Sequence, residues 1–108
     1  MTTNPLDSGP LAVLETVAYQ PGGIVSRQLL KTAGGGVTAF AFDAGQGLSE
    51  HSSPQQALIQ VIEGEAEVEI DGRAQVLRAG EMILLPAARP HAVTARQRFK
   101  MLLTMLRG

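Results

Sequence analysis

The sequence predicts an all-β fold, and three observations predict it. Short apolar runs recur between glycine, proline or Asp-Gly breaks, which is the spacing of strands and turns. From Glu65 to Ile70 the chain alternates strictly, with Ala66, Val68 and Ile70 apolar and Glu65, Glu67 and Glu69 acidic, the period of a half-buried strand. Asp71-Gly72 follows at once. This pair best takes the two positive φ angles of a type I′ turn, and Arg73 to Leu77 supplies the returning strand.

The other elements follow from the same signals. Ile24 to Leu30 and Val37 to Phe42 read as strands joined through Gly34-Gly35-Gly36; no helix pattern follows these glycines, so they read as a turn rather than a phosphate cradle. Ala57 to Ile62 is an apolar run ending at Glu63-Gly64, so that it, the alternating strand and the returning strand form a three-stranded meander. Met82 to Leu85 is an unbroken apolar run stopped by Pro86, as in a strand buried on both faces. Pro90 holds Arg89 extended just before His91. From Phe99 onward the pattern fits two readings, because Phe99, Leu102, Leu103 and Leu106 have helical spacing while Phe99, Met101, Leu103 and Met105 have strand spacing. Leu11 to Ala18 reads as a short helix after Ser8 or as an extended arm, and Met1 to Pro10 as a loose tail.

Composition excludes several classes of function. A chain of 108 residues with 44% hydrophobic and 18% charged residues is sized for one globular domain. A net charge of -1 leaves no basic surface for nucleic acid. The absence of cysteine removes disulfides, thiolate zinc sites and cysteine nucleophiles. Neither a signal-peptide pattern nor an apolar run of membrane-span length is present, so a cytoplasmic location is expected. The acidic stripe Glu65, Glu67 and Glu69 lies opposite an apolar stripe and reads as a solvated face.

Strand count and turn spacing leave an immunoglobulin-like sandwich and a double-sheet jelly roll as candidates. Two motif frames favour the second. The first motif of the cupin superfamily places a glycine, a His-x-His pair, a glutamate and a second glycine at fixed spacing; Gly45, His51, Ser53, Ala57 and Gly64 occupy those places. The second places glycine, proline, glycine, histidine and asparagine; Gly80, Pro86, Ala88, His91 and Ala95 fall on them. The chain thus resembles a small single-domain cupin. The resemblance implies an RmlC-like double-stranded β-helix, or jelly-roll barrel, over residues 21–108, preceded by an N-terminal arm over residues 1–20. It also implies that the stretch after Phe99 is a strand.

In that family a metal is held inside the barrel by three histidines and a glutamate. Here Ser53 stands at the second histidine and Ala57 at the glutamate, leaving His51 and His91 as the candidate metal ligands. Gln56, beside the glutamate position, is a third candidate, although on a regular strand it points to the other face. Two imidazoles fall short of the usual three protein ligands, so the expectation is that no divalent metal (nickel, zinc, iron or manganese) is held tightly. His51, Ser53 and His91 are instead expected to bind a small organic molecule in the barrel. A metal-dependent oxygenase or isomerase with an incomplete site, or a metal-free acid–base enzyme, is the alternative. The catalytic residues are left unassigned. A homodimer is expected, with apolar side chains on both faces of the last strand.

Overall fold

A computed structural model describes residues 4–107, which form β1 (Ile24–Thr32), β2 (Gly35–Phe42), β3 (Gly47–His51), β4 (Gln56–Glu63), β5 (Glu65–Ile70), β6 (Arg73–Arg78), β7 (Met82–Leu85), β8 (His91–Thr94) and β9 (Phe99–Leu106). They make a five-stranded sheet in the order β1-β2-β9-β4-β7 and a four-stranded sheet in the order β3-β8-β5-β6, with antiparallel pairing throughout. The inner faces close into a jelly-roll barrel. No helix among the described residues is long and apolar enough to cross a membrane.

The β5–β6 hairpin forms as its sequence demands: Asp71 and Gly72 take φ of 51° and 79°, and Ile70 pairs directly with Arg73. The three-stranded meander does not form, because β4 pairs with β7 and β9 while β5 pairs with β6 and β8. A register irregularity between Val61 and Glu63, followed by Gly64 at φ 78°, carries the chain out of one sheet and into the other. A Cβ at Gly64 would lie 2.5 Å from the Arg98 carbonyl oxygen, so this crossing admits only glycine.

Two further expectations are corrected. The connection between β1 and β2 is shorter than the glycine run, since Gly35 and Gly36 are already strand residues. At Gly35 a Cβ would overlap the Met105 carbonyl, so its bareness serves the close approach of β9. β7 is not buried on both faces. It is an edge strand of the larger sheet, and Met82 and Leu84 on its outward face are 57% and 43% exposed.

The main core lies between the sheets. Phe42, Ile59, Val61, Val68, Phe99 and Met101 are fully buried there, and the Phe42 and Phe99 rings stack with centroids 4.5 Å apart. The stretch after Phe99 is a strand, with Phe99, Met101, Leu103 and Met105 facing this core. Its opposite face is largely covered by the chain itself. Val17, Leu11 and Tyr19 pack with Leu102 and Leu29 over the small side chains of Ala39 and Ala41. Burying one Val-sized side chain in this way stabilises by roughly 1.5–3 kcal/mol.

This N-terminal stretch holds short 3₁₀ turns at Pro5–Ser8 and Val13–Glu15, with no α-helix among its described residues. Nor is it loose from Asn4 onward. Asn4 accepts from the Lys31 amide at 2.9 Å and donates to its carbonyl at 3.4 Å, mimicking a strand along the open edge of β1. The rest of the expected tail, residues 1–3, lies outside the described residues. The Tyr19 hydroxyl donates to Glu63 at 2.5 Å, and Arg98 and Lys100 stand 5.2 and 5.0 Å from its ring centre. Burial, then the Glu63 carboxylate, pushes the Tyr19 phenol well above its usual range, so it remains a neutral donor.

Candidate functional site

His91 opens β8 and His51 ends β3, directly opposite each other in the smaller sheet. His91 and Val93 are both buried and two residues apart, so both face the barrel interior. His51 reaches that face only through an irregularity. Leu48 pairs with Val93 and packs on the core, yet His51, three positions later, pairs with His91, two positions before Val93. One extra residue in β3 therefore turns His51 inward; in a regular strand it would face out.

Each ring is oriented by its own backbone. His51 Nδ1 lies 2.8 Å from the Ser49 carbonyl and His91 Nδ1 lies 3.2 Å from the Arg89 carbonyl. A carbonyl only accepts, so each Nδ1 carries the hydrogen. Both Nε2 atoms are then left with lone pairs, and these converge at 3.1 Å with the rings edge to face. Two lone pairs this close repel each other and attract a donor or a cation between them. Burial, then the charge of the neighbouring His51, pushes the His91 pKa below the usual imidazole value, so His91 resists taking a second proton.

The two segments are braced around the pair. The Ala88 amide donates to the Ser53 carbonyl at 2.6 Å, and the Asp71 amide donates to the Pro90 carbonyl at 3.0 Å. Ala88 adopts φ 65°, a left-handed conformation unusual for a residue with a Cβ.

Neither ring is hydrogen-bonded to the other expected site residues. The Ser53 hydroxyl accepts from the Gln55 amide at 3.2 Å, closing a local turn. Gln56 is exposed on the face of β4 opposite buried Ala57, and with Pro54, Ala87 and Arg107 it lines a separate groove. Among the described residues no cluster of three or more His, Asp or Glu side chains is placed to hold a metal ion. The residues that sequence reasoning missed are Ser49 and Arg89, which act through their carbonyls. No side-chain signal marks them, because every residue carries that group.

Comparison with known families and structures agrees with this architecture. The Cupin domain model matches residues 39–105, a span that contains both histidines. A conserved protein of unknown function from Streptococcus pyogenes is 33% identical, with a TM-score of 0.86 over 92% of this chain and 87% of that one. A Cupin 2 conserved barrel domain protein from Leptotrichia buccalis is 38% identical, with a TM-score of 0.84 over 87% of this chain, which spans 46% of that protein. A cupin superfamily protein from Desulfitobacterium hafniense is 25% identical, with a TM-score of 0.86 over 92% and 91% of the two chains. No curated protein matches the chain. A family match over more than half of the sequence and a shared two-sheet barrel lead to one conclusion: this chain belongs to the cupin domain family.

Proposed function

We propose that this cupin binds a small organic molecule at the end of its barrel, with the His51–His91 pair as the recognition centre. The observation that carries this reading is the 3.1 Å approach of the two Nε2 atoms while both Nδ1 atoms are tied to backbone carbonyls. Such a pair presents two acceptor nitrogens to one donated proton. A hydroxyl or acidic group of a ligand that enters the contact exchanges hydrogen bonds with both rings, and neutral imidazole is chemically suited to take or return a proton near pH 7. His51 is the solvent-exposed ring and His91 the buried one, so the ligand approaches from His51.

A thermal-shift screen of small hydroxy acids, keto acids and sugars tests the proposal. Stabilising compounds are expected for the native protein, with the stabilisation lost in both His51→Ala and His91→Ala. A hit that persists in both variants, or no hit at all, sinks it.

The same 3.1 Å separation supports a second reading, because two nitrogens each about 2.0–2.1 Å from one ion can lie this far apart. His51 and His91 would hold such an ion, which when bound polarises a coordinated oxygen. Among the described residues the donor set stops at two, short of the usual three protein ligands. Elemental analysis of protein purified without added metal separates the readings. Near-stoichiometric metal that disappears in His51→Ala favours the ion, and metal-free protein favours the organic ligand.

A further inference from the structure

β6 and β7 follow one another in the chain but form the open edges of different sheets, and a cleft of about 400 Å³ runs between them. That volume is in the range that encloses small organic ligands. Its walls include Ile70, Arg73 and Gln75 from the β5–β6 hairpin, Ile83 from β7 and Arg89 from the turn before β8. The register explains the mixture. Directly paired residues in an antiparallel ladder face the same way, and Arg73 pairs with Ile70 while Gln75 pairs with fully buried Val68. A guanidinium and a carboxamide therefore stand on the inner, core-facing side of the sheet, at its unpaired edge. Ile83, paired with buried Ile59, faces them from the other sheet.

The charges in the cleft are unequal. Arg89 is engaged by Asp71 at 3.4 Å, whereas Arg73 has no ion-pair partner among the described residues. One free cation, a neighbouring amide and an aliphatic floor define a ligand class. We propose that this cleft binds a small monocarboxylic acid, its carboxylate on Arg73 with Gln75 as a second donor and its hydrocarbon body against Ile70 and Ile83. A planar carboxylate matches the guanidinium fork. A phosphate dianion brings a second charge that Asp71 opposes, and it has nothing to lay on the two isoleucines. The cleft adjoins the histidine pair without using its side chains: Ile70 is the cross-strand neighbour of His91, and the Arg89 carbonyl accepts from His91 Nδ1.

Titration of the full chain with butyrate, followed by amide NMR, tests the assignment, with butanol and inorganic phosphate as comparison ligands. Butyrate is expected to give saturable shifts at Ile70, Gln75 and Ile83, whereas butanol does not saturate and phosphate binds more weakly. Arg73→Gln weakens butyrate by about tenfold or more, the loss of one charge-assisted hydrogen bond. Asp71→Asn frees Arg89 and tightens butyrate, and asparagine is well tolerated at that turn position. Butyrate shifts that do not saturate, that are unchanged in Arg73→Gln, or that phosphate matches in affinity overturn the assignment. This reading is tested on Arg73 and Asp71 and the preceding one on His51 and His91, so each fails separately.

Discussion

Ala88 occupies the place where the family's second motif has glycine, and the structure shows why glycine is used there. Its φ of 65° costs a residue with a Cβ about 1 kcal/mol or more, and the hydrogen bond to the Ser53 carbonyl holds it in that conformation. Ala88→Gly is therefore expected to raise stability by about 1 kcal/mol, read as a higher denaturant midpoint at unchanged m-value. His91 makes the opposite kind of demand. Its pKa is lowered by burial and by the charge of His51, so the folded chain takes up this proton less readily than the unfolded chain. The stability associated with His91 is complete above the ordinary imidazole value of about 6.5. It declines as pH falls from there through the lowered folded value. Urea midpoints measured at about pH 7.5 and pH 5.5 should show this fall, and His91→Gln should flatten it.

Among the elements, β3 decides whether the site exists. Both histidines stand out in the sequence, but their meeting depends on one surplus residue between Leu48 and His51, which a period-two reading passes over. Deleting exposed Glu50 removes the surplus residue and leaves His51 two positions after Leu48, on the same inward face of a regular strand. The expected result is a protein with native strand content by circular dichroism that keeps the Nε2–Nε2 contact, seen as an unchanged His91 ring-nitrogen shift. Loss of that contact in the deletion variant counts against the bulge. The same limit explains the meander that did not form. Ala57 to Ile62 and Glu65 to Ile70 are legible as strands, but Gly64 reads equally well as a hairpin turn or as a crossing between sheets. The choice rests with the segment that enters β9, where the Arg98 carbonyl leaves no room for a Cβ.

At the scale of the whole molecule, the apolar surface is divided in a way that composition does not reveal. The arm covers the outward face of β9 around Leu102, so that side chain serves the fold rather than a partner. Register places Met82, Leu84 and Leu106 together on the outward face of the larger sheet, all at least 43% exposed. If the expected homodimer forms through this surface, the native chain should sediment at twice its monomer mass and Leu84→Lys at the monomer mass. A monomeric native chain removes the dimer from the description.

The sequence by itself determined that the protein is all-β, where most strands lie, which turn joins β5 to β6, and that a cupin frame with a depleted ligand set surrounds His51 and His91. These features follow from local rules: side-chain alternation, residue-specific φ preferences and fixed motif spacing. Only the tertiary structure decided which strands pair, that β7 is an edge, that Gln56 stands away from the histidines, and that two imidazoles meet at 3.1 Å with both Nδ1 atoms tied to carbonyls. These features rest on sheet closure, on a bulge that shifts a strand by one residue, and on backbone groups common to every amino acid. A single sequence does not display such choices, because they belong to contacts between distant segments.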